Sequence, residues 1–261
     1  MFATNFFESQ ILNTLRNVTL PGYGDLFVGL FLSSPGETGS AGIEVQYNGY
    51  TRLPVSFTPP FEESGGMGIR NTNDMLWQSA TSDVGQARFI GILDSATVGS
   101  GNMLLYGELT IPLDIRSGQQ PSIYTGDILY FITGDSSRHF KTRVLNVLRN
   151  QSLAGFIPHV ALFDGDPELT GVELSGPSYS RVAVTFTPPQ EQIGGQMSVV
   201  NSNLLRFPSP TTPWGNWAAD GLMDASTGGN LIFKAINPMP EVIQRNYVPQ
   251  VAAGDYEVAV D

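Results

Sequence analysis

One stretch of eleven residues occurs twice in this chain and limits its possible folds more than any other feature. Residues 50–60 have the sequence YTRLPVSFTPP, and residues 179–189 have the sequence YSRVAVTFTPP. In each copy Arg, Val and Phe alternate with smaller or polar residues, which is the period-two pattern of a half-buried β-strand. Each copy stops at a Pro-Pro pair, where the missing amide donors end a strand ladder. The duplication therefore predicts two versions of one β domain.

A short helix is predicted at the start of each version. Apolar residues recur there at three- and four-residue steps. These residues are Phe6, Phe7, Ile11, Leu12 and Leu15 in the first copy, and Phe140, Val144, Leu145 and Leu148 in the second. Asn5 and Glu8 form a candidate capping box for the first helix, and residues 135–137 supply candidate caps for the second. We therefore place the domains, called the first and second repeat below, at residues 1–134 and 135–261.

Short apolar runs separated by turn residues follow each helix. The strands predicted for the first repeat are 26–32, 43–47, 52–57, 69–77, 88–93, 103–111 and 128–132. The pair Asn48-Gly49 predicts a tight hairpin between the second and third of these. Regularly spaced short strands are typical of an all-β sandwich or jelly roll. We expect an all-β fold with two tandem β-sandwich, jelly-roll-like domains, each with its own core and each preceded by a short α-helix.

Composition limits the classes of partner. The net charge of −11 opposes long contacts with nucleic acid or an anionic membrane. No cysteine is present, which removes disulfides and thiolate chemistry, and no apolar segment has the length of a membrane span. We expect a soluble protein. Only 14% of the residues are charged, which suggests that neighbouring proteins cover much of its surface.

Few side chains are candidates for catalysis or metal binding. His139 lies at the boundary between the repeats and His159 at the start of a strand, and neither has a counterpart in the other copy. We interpret both as structural or exposed histidines. Asp164, Asp166 and Glu168 alternate in a loop that would offer oxygens to calcium. Because the loop lacks the central glycine and terminal glutamate of an EF-hand, we favour a solvated acidic turn.

Several polar residues are retained in both copies. They are Asp94 and Asp224, Asn71 and Asn201, and Arg52 and Arg181. The Asp and Asn side chains precede turns, so we interpret them as caps for the local backbone. The arginines either contact a partner or pair with a carboxylate or carbonyl across the sheet, and we favour the pairing.

Two other patterns have both a functional and a structural interpretation. Trp77, Trp214 and Trp217 would suit a sugar-stacking platform, but they do not align between the copies, which favours packing in a core or interface. Asn17 and Asn150 begin glycosylation sequons that have meaning only in a secretory route. The sequence therefore predicts no catalytic, cofactor or metal site, and we do not expect an enzyme.

Several motifs of each repeat carry a resemblance to a known class of protein. The motifs are a turn at 35–39 or 167–171, a GYxRxxVxF strand at 49–57 and a DASTGGNL hairpin at 224–231. With these motifs the chain resembles small β-sandwich modules of tailed bacteriophage virions, which include tail fibre-like modules and capsid decoration or cement proteins. The second copy departs from the pattern at Pro177-Ser178, where the first has Asn48-Gly49.

The resemblance implies a structural role in the particle. Our first hypothesis is a capsid cement or decoration protein that is made in the host cytoplasm and lies on the capsid surface. Its expected partners are the major capsid protein and neighbouring copies of itself in an oligomeric assembly. The candidate contact elements are the helices and the segments 61–68, 190–196 and 241–251.

Two alternatives come from other functional classes. A tail or neck fibre component, or an adhesin that binds a host surface glycan, predicts a concave site of aromatic and polar residues. A jelly-roll glycan hydrolase needs two carboxylates across a cleft, for which Glu108 and Glu168 are the candidates. The residues aligned with these two are not acidic, so we do not favour the hydrolase.

Overall fold

The computed structural model describes residues 1–260, so residue 261 of the predicted second domain lies outside the described part. The described chain is mostly β, with 39% strand and 8% helix. Helix α1 spans Asn5–Asn13 and continues as a 3-10 turn, Thr14–Arg16, and helix α2 spans Arg138–Val147. Both predicted helices are confirmed. Neither is long and apolar enough to cross a membrane.

The caps of the two helices test the sequence signals directly. Thr4, not Asn5, caps α1: its Oγ1 accepts a hydrogen bond from the amide of Phe7 at 3.4 Å. Asn5 is the first helical residue, so the predicted capping box of Asn5 with Glu8 is wrong. Thr4 takes the position because its hydroxyl also donates to the carbonyl oxygen of Met103 at 2.6 Å, which ties the helix start to a strand. Ser137 caps α2, as predicted among residues 135–137.

The strands of the two repeats correspond, except that the first one, Phe2–Ala3, is matched in the second repeat only by an isolated bridge between Ser136 and Phe233. In the first repeat they are β1 (Phe2–Ala3), β2 (Leu26–Phe31), β3 (Leu53–Val55), β4 (Phe61–Glu63), β5 (Gly66–Arg70), β6 (Met75–Leu76), β7 (Gly85–Leu93), β8 (Met103–Ile115), β9 (Ser122–Ile123) and β10 (Leu129–Ile132). In the second repeat they are β11 (His159–Phe163), β12 (Val182–Ala183), β13 (Gln190–Glu191), β14 (Met197–Val200), β15 (Leu205–Arg206), β16 (Gly215–Met223), β17 (Leu231–Ile243), β18 (Gln250–Val251) and β19 (Glu257–Val260).

The strands form antiparallel sheets that correspond between the repeats. The largest sheet has the order β1-β8-β7-β2-β3 in the first repeat and β12-β11-β16-β17 in the second. The smaller sheets are β10-β5-β4 and β6-β9 in the first repeat, and β13-β14-β19 and β15-β18 in the second. The expected tandem all-β architecture is confirmed. One edge strand of the second large sheet is β17, and the corresponding strand β8 is covered in the first only where the two residues of β1 pair with it.

The predicted hairpin at Asn48-Gly49 is wrong. The dipeptide lies in a turn, but the segments on its two sides do not pair with each other. Glu44 forms a single bridge to Phe31 at one end of β2, and β3 pairs with the other end of the same strand. The chain between them turns inward, where the hydroxyl of Tyr50 accepts a hydrogen bond from the amide of Leu30 at 2.8 Å. Both segments therefore lie along β2, and the strand predicted at 43–47 is reduced to one bridge.

The two repeats face each other through equivalent residues. Leu20 donates from its amide to the carbonyl oxygen of Leu153 at 2.9 Å, and Leu153 donates in return to Leu20 at 2.8 Å. Two more backbone bonds, each the equivalent of the other, join Tyr23 to Val147 and Phe156 to Thr14, both at 3.1 Å. Contacts in which equivalent groups exchange places are the mark of an isologous, two-fold interface. One chain therefore has the arrangement of a dimer with a pseudo-two-fold axis at Leu20 and Leu153.

Each helix also contacts strands of both repeats in the core. Helix α1 packs against β8 of its own repeat and against β14 and β19 of the second. Helix α2 packs in the corresponding way against its own β17 and against β5 of the first repeat. Buried side chains from both repeats therefore form one continuous hydrophobic cluster instead of the two separate cores that the sequence suggests. The domain boundary at residue 134 stays a prediction.

Candidate interaction surfaces

The retained arginines are part of the fold. Arg52 donates from Nε and Nη2 to the two carboxylate oxygens of Glu44, each at 2.8 Å. Its Nη1 donates to the carbonyl oxygens of Ser95 and Ser100 at 2.8 and 2.7 Å. Arg181 repeats this arrangement with Glu173 and with two carbonyl oxygens of the loop after β16. Their interpretation as pairs across the sheet is confirmed, so neither guanidinium is a contact for a partner.

The retained aspartates close the loops whose carbonyl groups the arginines bind. Asp94 accepts from the backbone amide of Asn102 at 2.6 Å and from its side-chain amide at 2.9 Å. Asp224 holds Asn230 with the same two distances. The aspartates are therefore backbone caps, as predicted, but they act across a loop instead of on their nearest neighbours.

The retained asparagines fix a second pair of loops. Asn71 is buried, and its Nδ2 donates to the carbonyl oxygens of Asn73 and Tyr124 at 2.9 and 2.8 Å. Its Oδ1 accepts from the amide of Ile128 at 2.8 Å. Asn201 is also buried and makes the equivalent set of contacts. Both side chains are occupied by the fold.

The histidines are not brought together. His139 lies on α2, where burial and then the charge of Arg143 lower its pKa. His159 begins β11, and its Nδ1 lies 3.0 Å from the carbonyl oxygen of Ile157. The two side chains therefore have separate surroundings.

The three acidic residues of the 164–168 loop have different partners. Asp164 accepts from the amide of Val172 at 2.6 Å, and Asp166 accepts from Nζ of Lys234 at 2.6 Å. Glu168 accepts from the amide of Arg138 at 2.7 Å, at the first residue of α2. Within residues 1–260, no group of three or more His, Cys, Asp or Glu side chains is placed to hold a metal ion.

The tryptophans do not form a shared platform. Trp77 is buried and donates from Nε1 to the carbonyl oxygen of Thr51 at 2.9 Å. Trp214 is buried as well and donates to that of Pro177 at 3.3 Å. Core packing is confirmed for these two, and half-buried Trp217 donates to Asp220. Thus two of the three rings that would stack on a sugar lie inside the protein.

The sequon asparagines have a conformational role. Asn17 and Asn150 take positive φ values of 61° and 63°, the left-handed conformation that ends a helical segment. Asparagine tolerates this conformation better than most residues, because its short side chain can bond to the local backbone. Asparagine therefore occurs at this position in both copies because a helical segment ends there in each repeat.

The two carboxylates considered for glycan hydrolysis lie in different repeats. Glu108 is exposed on β8, opposite Phe89. Glu168 lines a cleft of about 580 Å³ that Glu108 does not line. Within that cleft, Glu168 is occupied by Arg138 and by Nζ of Lys234, 3.7 Å away. The geometry therefore gives the hydrolase hypothesis no support.

That cleft lies between the repeats and contains a group of charges. Arg138 of α2 forms an ion pair with Glu62 of β4 across the repeat boundary. Deeper in the cleft, Lys234 lies between Asp166 and Glu168. The pair of Arg138 with Glu62 joins β4 to the second repeat, whereas the pairs of Lys234 lie within the second repeat. The predicted contact segment 61–68 is thus partly engaged inside the molecule, and external contacts of 61–68, 190–196 and 241–251 stay predictions.

Asp220 on β16 is a largely buried carboxyl group. Burial raises its pKa to about 6, although Nε1 of Trp217 donates to it at 2.8 Å and opposes the shift. A raised folded-state pKa favours the protonated form, so the contribution of this group is fully present below its unfolded pKa and is lost as pH rises to about 6. The equivalent residue of the first repeat is Ile90.

We expect Asp220→Asn to stabilise the protein at pH 8, because the amide carries no charge and can still accept from Trp217. The expected gain in the free energy of unfolding is about 2 kcal/mol, allowing for partial exposure. The gain should decrease as pH falls below about 6 and disappear at about pH 3, below the unfolded pKa, where the carboxyl is protonated in both states. Urea denaturation of both proteins from about pH 3 to 8 measures this. An equal difference at both ends of the range would show that Asp220 is not the titrating group.

Two bulges on the outer strands are the most exposed apolar features that the repeats share. On β8, the pairs Ala87 with Leu113 and Phe89 with Glu108 leave residues 109–112, the first bulge, opposite a single residue of β7. On β17, residues 237–240, the second bulge, face a single residue of β16 in the same way. Ladder pairs hold both ends of each bulge. The tips are Ile111 and Met239, which are 77% and 81% exposed.

The bulges could not be found from periodicity. The sequence predicts the strand at 103–111 and ends it inside the first bulge, whereas β8 continues to Ile115. The available signal was the apolar-proline pair Ile111-Pro112, which returns as Met239-Pro240. Proline is confined to edges and bulges in sheets, so a proline at the same place in both copies marks an interrupted outer strand.

Comparison with known families supplies the identity of the repeat. The family model described as podophage GP4 fiber I protein gp80 matches residues 3–130 and matches again over residues 136–259. No curated protein matches the chain. The resemblance to a tandem module of phage virions is thus confirmed, and both repeats carry it. Because the two matches cover nearly all of its length, the chain belongs to the podophage GP4 fiber I protein gp80 family.

Proposed function

We propose that this phage structural protein is a component of a virion fibre, with no catalytic role. The observation that carries the proposal is the match of each repeat, separately, to a family described as a fiber protein. Our first hypothesis from the sequence was a capsid cement or decoration protein. The family description supports the fibre alternative better, so the fibre becomes the principal proposal and the capsid lattice a competing location.

The use of the polar side chains supports a structural role. Arg52, Arg181, Asp94 and Asp224 are retained in both repeats, and each is bonded within the fold. A catalytic site usually brings titratable groups together with a free position for a substrate. Here the polar side chains that both repeats share bind carboxylate, carbonyl and amide groups of the fold itself. The most exposed apolar side chains that the repeats share lie at the bulges.

The adhesin form of the alternative predicts a concave site of aromatic and polar residues. Trp77 and Trp214 are buried, and the cleft of about 580 Å³ is lined without Phe, Tyr or Trp side chains. A second cleft of about 750 Å³ has Phe233, which is buried, and Tyr256 in its lining. We confine the proposal to a structural fibre component and assign it no glycan.

Localisation in the intact particle tests this proposal. Cryo-electron microscopy would compare virions with particles assembled without this chain, and a heat-release assay would compare the stability of their heads. We expect the density that disappears to belong to a fibre and the heads to release DNA at the same temperature. Loss of density over the icosahedral shell, together with heads that leak earlier, would refute the fibre proposal and support the capsid hypothesis.

A further inference from the structure

The exposed bulge tips have no evident task inside the molecule. Ile111 and Met239 are almost fully exposed, while the residues that carry them are anchored: Leu109 packs against the core, and the side-chain oxygen of Asn237 accepts from the amide of Met239 at 3.0 Å. Because their backbone is already ordered, covering these side chains costs side-chain entropy but little backbone entropy. A single exposed apolar residue is ordinary, but the recurrence of one at the same place in both repeats makes the pair a candidate contact for another protein.

The prolines of the bulges oppose docking by the addition of a partner's β-strand to these edges. Residues 107–115 of β8 and 235–243 of β17 lie on outer edges, which would invite another strand to pair. Pro112 interrupts the first edge, and Pro238 and Pro240 interrupt the second, because proline cannot donate to a ladder. A partner therefore meets the protruding side chains and not the backbone of an added strand.

From these observations we propose that the two bulges are paired docking knobs for a virion protein that presents two equivalent apolar sockets. This inference rests on the proposed role as a virion component. The repeats are related by a pseudo-two-fold axis and carry their tips at corresponding positions of corresponding strands. A partner that holds both tips in the same way must itself be duplicated, either as two subunits or as two repeats.

A second copy of this chain is a less suitable occupant. The net charge of −11 on each copy opposes self-association. Two convex tips also do not fill each other, whereas a socket of apolar side chains removes each tip from water. Two modest contacts on one rigid body reinforce each other, because the second one forms at a high effective concentration.

The test uses the full-length protein and particles assembled without it as the binding probe. Cosedimentation would give the affinity of the native protein, of Ile111→Ser, of Met239→Ser and of the double variant. Ile43→Ser is the matched control, since Ile43 is an exposed apolar residue that lies outside the candidate contact segments 61–68, 190–196 and 241–251. Thermal melts confirm that the variants fold.

We expect each single tip variant to weaken binding about tenfold or more, the double variant about a hundredfold or more, and the control not at all. One neutral tip variant, or an effect of Ile43→Ser equal to that of the tips, would overturn paired docking. Loss of self-association in light scattering, with unchanged particle binding, would make a second copy the occupant and also overturn it. If the tips matter but the bound protein decorates heads, the fibre proposal fails while the paired knobs remain.

Discussion

Replacing Gly22 with alanine is expected to destabilise the protein by about 3 kcal/mol. A Cβ atom on Gly22 would lie 2.3 Å from the carbonyl carbon of Asn150 in the other repeat, and backbone atoms cannot move aside as a flexible side chain can. The conformation of Gly22 is open to any residue, because its φ is not positive. The whole effect would therefore report the close approach of the repeats at the pseudo-two-fold axis. Urea denaturation followed by circular dichroism measures the loss.

The chain offers a control two residues away. A Cβ on Gly24 meets nothing within 4 Å, so Gly24→Ala should leave stability nearly unchanged. Gly155→Ala should reproduce the loss, because its Cβ would lie 2.4 Å from the carbonyl carbon of Asn17, the reciprocal contact. If Gly22→Ala and Gly24→Ala unfolded at the same urea concentration, the described contact between the repeats would be wrong.

Arg52→Met is the second substitution with a large expected effect, a loss of about 3–5 kcal/mol. Methionine fills much of the same space but leaves the Glu44 carboxylate, whose side chain is only 8% exposed, without its cation. The carbonyl oxygens of Ser95 and Ser100 lose a donor at the same time. An uncompensated buried charge is among the few causes of so large a change. Thermal unfolding at pH 7 gives the magnitude.

The second repeat provides a graded comparison for the same chemistry. Arg181→Met should cost about half as much, since the Glu173 side chain is 28% exposed and water can replace part of the lost interaction. Arg116→Met removes an exposed ion pair with Asp114 and should change stability by less than about 0.5 kcal/mol. Equal losses for Arg52 and Arg181 would contradict burial as the cause.

The features that the sequence predicts are local ones. Local patterns indicate which side chains face inward, as in the helical spacing of Phe7, Ile11 and Leu15 and the alternation around Arg52. Because the chain is duplicated, each pattern occurs twice. Even the role of Arg52 was accessible, because a buried arginine on a strand needs a carboxylate or carbonyl nearby. The error at Thr4 is also local. Two adjacent cap residues compete, and a strand distant in sequence decides between them.

What the sequence does not predict depends on long-range contacts. Nothing in the pattern of α1 shows that its apolar face is shared between strands of two repeats, since packing on either repeat requires the same side chains. The hairpin at Asn48-Gly49 fails for a related reason. The dipeptide specifies a turn, but β2 offers a longer partner to both flanking segments. For the candidate surface, the duplicated Ile111-Pro112 pair was visible, yet its exposure depends on where the ladder resumes.

The exchange of helix contacts between the repeats also has a consequence for synthesis on the ribosome. The first repeat emerges before the second, at a time when β14 and β19 do not yet exist to cover α1. The apolar face of α1 stays uncovered until strands more than a hundred residues later have been made, the last of them Glu257–Val260. At bacterial rates of about 5–20 residues per second, this delay lasts on the order of ten seconds. During this stage a chaperone, or α1 of a neighbouring nascent chain, can bind the apolar face of α1 that β14 and β19 cover in the folded protein.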